Sequence, residues 1–422
     1  LLSFIILYAL VFSLIGMDLV MSLDPKWTSS MFPGYFFISG MYMAMAAPLS
    51  SGGAPPPVHS AELDTLIEQN IGFMPFLGLI PSSEILGGAM LAGFTGPEID
   101  FRRFQLSGAD FLLTTGWVDA STVELRCYES FTQNMLLGKS YTISDPSQLP
   151  EVADKFCAAL MEALTGNGSF FLSQMAFVQK TGNDKNIFVI RPTGRDLRQV
   201  TKLEGYCMSP SWSANGAFLA FTYIDDRYHR LGVWRASSGE VTTHRLLGNS
   251  VIGPAFASGN SIAVSLTPDG DTDIYMLDES FTSQIALVKV PGIDVSPSFA
   301  RNGAMAFASD RFGAPAIFVR DSGGERRVSF QGSYDTDPSI SPDGKFVAFA
   351  RRTSSGFRIF IADLETGEER QVTFGPGNDE DPAFGPDGYF IAFTSTRDGA
   401  SRIYLTTRHG DEAIPVPAGS GV

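Results

Sequence analysis

The chain is 422 residues long, 44% hydrophobic and only 18% charged, a composition that supports folded domains rather than a disordered tract. Its formal net charge of −15 and the lack of any basic run exclude a nucleic-acid binder, because phosphate neutralisation needs clustered Lys and Arg. Three scattered cysteines without a Cys-x-x-Cys pair, Cys127, Cys157 and Cys207, exclude a disulfide framework or a zinc site; three buried thiols fit better than a Cys127–Cys157 bridge.

In chain order, Leu1 to Met21 reads LLSFIILYALVFSLIGMDLVM, apolar and long enough to cross a bilayer as a helix. A second apolar run, MFPGYFFISGMYMAMA, extends from Met31 to Ala46, and a loop with Asp24, Pro25 and Lys26 joins the two. The stretch MDLVMSLDPKWTSSMFPGYFF resembles part of the quinone-binding membrane subunit of alternative complex III, a bacterial quinol:cytochrome c oxidoreductase. Three readings of residues 1–46 stay open. They are a fusion or sequence-assembly junction, since the chain begins at Leu; or a membrane anchor; or a start at Met21. In the last case Lys26 is the basic region, Phe32 to Met43 the apolar core, and cleavage follows Ala44-Met45-Ala46. Membrane contact is expected only through this segment, and no functional site falls in it. The Pro/Gly/Ser-rich run over residues 47–60 reads as a linker.

Residues 61–167 show a mixed α/β pattern. Ala61 to Glu68 has Leu63, Leu66 and Ile67 at helical spacing. FLLTTGWV after Asp110 is an apolar run of strand length, and TVELRCYES and LLGKSYTI form two alternating runs around a turn near Asn134, a hairpin. From Asp145 to Leu164 apolar residues recur at three and four, and Thr165-Gly166 stops that helix. No phosphate loop or dinucleotide fingerprint is present, so a structural or docking role is expected here.

Over residues 168–422 one motif repeats six times: Met175-Ala176-Phe177, Leu219-Ala220-Phe221, Ile262-Ala263-Val264, Met305-Ala306-Phe307, Val347-Ala348-Phe349 and Ile391-Ala392-Phe393. The central alanines are 44, 43, 43, 42 and 44 residues apart. Each motif is followed by a second strand, from NIFVI to RIYLT, and five are preceded by a short strand led by Pro210, Pro254, Pro297, Pro338 or Pro382. Pro-Asp-Gly at 342–344 and 386–388, and Asn-Gly at 215–216 and 302–303, supply the turns between them. A period near 43 residues holds four short strands, one blade. Six copies predict an all-β six-bladed propeller behind the α/β domain, with alanines letting blades approach.

SPDGKFVAFARR and RIFIADLETGEERQVTF resemble the repeat of TolB-type propellers. SGADFLLTTGWV, the hairpin, the helix ending in ALTGNGSFF and the strand SQMAFVQKT are similar to the TolB N-terminal domain in the same order. The Asp-Arg-Phe-Gly turn at 310–313 and the Arg-Asp-Gly turn at 397–399 add to the likeness. The resemblance implies a periplasmic, monomeric, non-enzymatic component of the Tol–Pal envelope system. Its propeller would bind the peptidoglycan-associated lipoprotein Pal, and it would communicate with TolA and other inner-membrane Tol proteins. Residues 1–50 stand in place of the flexible segment by which the family engages TolA. The family also ends with a Pro-Ala-Trp-Ser strand that closes the ring, and PVPAGSGV does not match it. The sixth inner strand is therefore expected to be missing or to come from Gly168 to Ser173.

In a four-stranded blade the loop into each inner strand opens on one face, which in the family carries Pal. The residues before the inner-strand prolines, Ser209, Gly253, Ser296, Asp337 and Asp381, are therefore the candidate partner-binding set. Asp294, Asp335, Asp379 and Glu380 lie beside them, so an acidic channel mouth is expected. Carboxylates there either cap turns or, as a ring, hold a cation such as Ca²⁺; no other cofactor is indicated. No GxSxG or HExxH motif occurs, and His59, His229, His244 and His409 are far apart. The enzyme alternatives are a channel-site lyase or glycosidase, or the propeller module of a peptidase.

Overall fold

The computed structural model describes residues 40–248, 250–278 and 280–420. Two compact units divide the chain, one ending at Ser144 and the other starting at Asp145. The boundary therefore precedes the helix that the sequence pattern groups with the α/β domain.

The first unit is built on β1 (Met41–Met45), β2 (Leu49–Ser50), α1 (Ser60–Ile71), β3 (Leu77–Ile80), α2 (Phe101–Leu106), β4 (Phe111–Trp117), β5 (Thr122–Glu129) and β6 (Met135–Thr142). The sheet order is β3-β1-β4-β5-β6, with β2 also on β4; β1 runs parallel to both β3 and β4. Every residue of β4 is buried, as expected of a strand covered on both faces. In α1, Leu63, Ile67, Asn70 and Ile71 are buried, one stripe at helical spacing.

The apolar tail expected over residues 1–46 thus ends inside this sheet. Met43 and Ala44 are fully buried in β1, and a strand buried on both faces reads in sequence like any short apolar run. The expected linker at 47–60 holds β2 and the start of α1. The bilayer-length stretch Leu1 to Met21, the start at Met21 and the loop around Lys26 lie outside the described residues. Among the described residues no helix is long and apolar enough to cross a membrane.

The second unit opens with α3 (Leu149–Thr165), which Gly166 ends in the left-handed conformation at φ 83°. Buried Asp154 on α3 pairs with Arg191 and Arg195, tying the helix to the first blade. That blade contains β7 (Met175–Thr181), β8 (Asp184–Ile190) and β9 (Arg198–Gln199). Blade two has β10 (Tyr206–Trp212), β11 (Phe218–Ile224), β12 (His229–Arg235) and β13 (Val241–His244). Blade three has β14 (Val251–Phe256), β15 (Ile262–Leu266), β16 (Asp273–Leu277) and β17 (Gln284–Val288). Blade four has β18 (Asp294–Phe299), β19 (Met305–Ser309), β20 (Ala316–Asp321) and β21 (Gly324–Arg327). Blade five has β22 (Asp335–Ile340), β23 (Phe346–Thr353), β24 (Gly356–Asp363) and β25 (Glu369–Gln371). Blade six has β26 (Asp379–Phe384), β27 (Phe390–Ser395), β28 (Arg402–Thr407) and β29 (Ile414–Ser420).

Blades two to six are antiparallel meanders with the first strand innermost, and one parallel bridge, Tyr206 to Lys185, joins the first two blades. Between blades, Ala306 and Ala308 of blade four share a core with Ile340, Val347 and Phe349 of blade five. The small repeat alanine does let the next blade close in. Among the described residues no inner strand pairs in blade one. Gly168 to Ser173 does not supply one: it forms a turn in which the Ser173 N–H donates to Phe170 O at 3.0 Å. Its aromatics are buried, Phe170 and Phe171 both, and Phe170 stacks on Phe390 of blade six at 3.9 Å. The three cysteines are buried and unbridged.

Candidate binding face of the propeller

Each inner strand of blades two to six carries the same irregularity. A bulge interrupts pairing between Met208 and Ser211, Ile252 and Ala255, Val295 and Ser298, Thr336 and Ser339, and Glu380 and Ala383. The residue before the proline sits in every bulge with positive φ: Ser209 51°, Gly253 53°, Ser296 56°, Asp337 52° and Asp381 52°. Only glycine adopts this conformation freely, so four positions hold a strained backbone in register. Bulges re-aim a side chain away from its ladder. They place these residues side by side around the axis: a Cβ on Gly253 would lie 3.5 Å from the Ser296 Cα. The candidate set is therefore one structural position repeated five times.

The neighbouring carboxylates divide. Asp337, Glu380 and Asp381 form an interacting group. Burial, then the charges of Asp337 and Glu380, push Asp381 up to about 6. Burial also raises Asp337, against a hydrogen bond from Thr336, and raises Glu380, with Asp337 and Asp379 adding to the effect. Asp294, Asp335 and Asp379 do not line the mouth as expected. All three are fully buried at the start of their inner strands. Asp294 pairs with Arg311 at 2.9 Å, Asp379 with Arg397 at 3.1 Å, and Asp335 with Arg351 Nε and Nη2 at 2.7 and 2.9 Å. Each arginine lies over two aromatic rings of its own blade, as Arg351 does over Phe349 and Phe360. These are internal clamps, because a residue two places before the bulge points into the blade while the bulged residue points out.

A rim of exposed apolar residues surrounds the carboxylates. The loops into inner strands present Leu247, Ile293, Phe330 at 66% and Phe374 at 62% exposure, and the loop between the second and third strands of blade four presents Phe312 at 72%. Topology puts these loops at the end where inner strands begin. Glu369 holds one of them, accepting from the Phe330 N–H at 2.7 Å while its other oxygen pairs with Arg351. Among the described residues no group of three or more His, Cys, Asp and Glu is arranged to hold a metal ion.

A family profile described as the TolB beta propeller domain matches residues 161–421, more than half of the chain. The chain belongs to the TolB β-propeller family. A protein of Nitratidesulfovibrio vulgaris named Tol-Pal system protein TolB is 47% identical over 64% of this chain and 63% of its own length. A TolB homolog of Chlorobium luteolum is 31% identical over 67% of this chain and 64% of its own. The matches thus span a little under two thirds of these relatives. The crystal structure of TolB from Acinetobacter baumannii superposes with a TM-score of 0.77 at 20% identity, covering 91% of this chain and 95% of that one, a likeness of fold.

For a TolB propeller the rim is the feature that sequence reading missed. Its signal was present: Phe312-Gly313, Phe374-Gly375 and Phe330-Gln331-Gly332 set an aromatic beside glycine in a turn, where no core position is available to bury it.

Proposed function

We propose that this chain acts in the periplasm as the protein-binding propeller of a Tol–Pal system, taking the lipoprotein Pal on the face where the inner strands begin. The observation that carries the reading is the combination on that face of an exposed apolar rim with the mutually repelling carboxylates of Asp337, Glu380 and Asp381, the first and last on strained backbone. Anchoring apolar groups around a polar centre suit protein recognition. The repulsion favours a partner that brings Lys or Arg to the centre. Relatives named for the Tol–Pal system support the placement, with TolA and other inner-membrane Tol proteins as further contacts. The role is one of binding rather than catalysis.

Calorimetric titration with the soluble domain of Pal from the same organism tests it. Asp337→Lys with Asp381→Lys is expected to weaken binding at least tenfold, while Glu365→Lys, exposed on a loop at the opposite end, leaves it unchanged. Equal affinity in the double variant, or no binding by the parent chain, contradicts the reading.

A further inference from the structure

The loop at 374–378 is held from beneath by a buried cation. Arg358 on β24 is 2% exposed, and unlike Arg351 it pairs with no carboxylate among the described residues. Its guanidinium donates to backbone carbonyls instead. Nη1 reaches Phe357 O at 2.5 Å and Gly377 O at 2.7 Å, and Nη2 reaches Ser355 O at 2.9 Å and also Gly375 O. Ser355 and Phe357 lie at the turn between β23 and β24, whereas Gly375 and Gly377 belong to the loop into blade six. A guanidinium is a rigid fork of donors, so one side chain locks both segments.

The surroundings are shaped to this close approach. A Cβ on Gly356 would lie 2.5 Å from Asn378 Oδ1 and 2.8 Å from Gly377 O, and one on Gly377 would lie 2.7 Å from the Thr396 carbonyl carbon. Asn378 Oδ1 accepts from the Phe357 N–H at 3.1 Å, and the Asn378 N–H donates to Thr396 Oγ1 at 2.9 Å, beside the end of β27. The same register position grips an entry loop in blade one. There Asn186 stands opposite Gln179 as Arg358 stands opposite Arg351, and its Oδ1 accepts from the Leu203 N–H at 3.1 Å and the Thr201 hydroxyl at 2.9 Å. Blade four has Ala316 at this position, and Glu369 of blade five holds its Phe330 loop instead.

We infer that Arg358 is a positioning residue of the partner-binding face: it fixes loop 374–378 in the unbound protein so that Phe374 stands outward to enter an apolar recess on the partner. The inference rests on the binding face proposed above. Gly375 and Gly377 sit at φ 110° and 74°, and a loop with two such glycines has much conformational freedom to lose on binding. Ordering it beforehand removes that cost from association, and aromatic anchors carry much of the energy of protein interfaces. The loop, Phe-Gly-Pro-Gly-Asn, has no charged side chain, and the one charge beneath it is turned to carbonyls, so the group that meets Phe374 is apolar.

Arg358→Met and Arg358→Lys are compared with the parent chain, circular dichroism showing the fold retained. In the free chain, hydrogen exchange at Gly375, Gly377 and Asn378 should quicken at least tenfold in Arg358→Met while β23 and β26 stay protected. Lysine, which cannot span four carbonyls, should give an intermediate rate. Calorimetric titration with the soluble domain of Pal should show at least fivefold weaker binding in Arg358→Met and in Phe374→Ala. Combining the two should add less than twofold, since no ring is then left to position. Unchanged exchange at 375–378 overturns the inference. So does unchanged affinity in either single variant, or losses that add in the double variant, as a merely structural prop would give. Failure of the parent chain to bind Pal contradicts the proposed function, and exchange in the free chain then decides the inference alone.

Discussion

Single residues in this chain are most informative where burial and charge conflict. Asp64 on α1 accepts a 2.7 Å hydrogen bond from the Thr115 hydroxyl, yet burial pushes its carboxyl up to about 7, and Glu68 one turn on adds to the rise. The fold therefore favours the protonated acid. Its contribution to stability is complete below the unfolded value near 4 and is lost as pH rises through about 7. Asp64→Asn keeps the acceptor and removes the charge. It should raise the unfolding temperature of the first unit at pH 8 by several degrees and by clearly less at pH 5, which thermal melts at the two pH values would show. At the mouth, Asp337→Asn removes one of the charges acting on Asp381. Carboxyl titration by NMR should then place the Asp381 midpoint below the value near 6.

The residues chosen from sequence for the mouth fared unevenly, for a physical reason. Ser209, Gly253, Ser296, Asp337 and Asp381 were legible because a proline in a repeated strand marks a position that cannot donate to the ladder. Their positive φ was not, since Ser and Asp do not announce it. Asp294, Asp335 and Asp379 could have been separated from Asp337, Glu380 and Asp381 by pairing each with the arginine of its own repeat. Plain alternation would put each on the same face as the bulged residue two places on, and the bulge separates them; a buried carboxylate needs a cation.

Among the strands, the clamps decide what a substitution costs. Arg351 is buried and holds Asp335 and Glu369 together, both themselves buried. Arg351→Met leaves two buried carboxylates without a counter-charge, an expected loss of about 3–5 kcal/mol. Urea denaturation should show the lower midpoint. Arg311→Met should cost less, because Glu325, the second partner of Arg311, is partly exposed and regains water. The strands of the repeat were legible because period and alternation agree over six copies. Strand β1 was not: Met41-Tyr42-Met43-Ala44-Met45 follows a longer apolar run, and nothing local distinguishes a doubly buried strand from the end of that run.

On the scale of the propeller, the repeat makes one position per blade equivalent and so concentrates function at the ends of the channel. The end where the inner strands begin gathers the five positive-φ residues, the repelling carboxylates and the exposed aromatics. The opposite end gathers tight turns, such as Asn302-Gly303 and Pro386-Asp387-Gly388. The blade count was legible from spacing alone. Ring closure was visible only as a doubt, since no local pattern shows whether Gly168 to Ser173 extends or turns; among the described residues it turns. The central claim, that this family member meets its protein partner at the inner-strand end, is tested most directly by hydrogen exchange with and without the soluble domain of Pal. Protection is predicted in the loops at 245–248, 290–293, 330–334 and 374–378. Protection confined to the turns at 214–217, 301–304, 342–345 and 386–389 would contradict it.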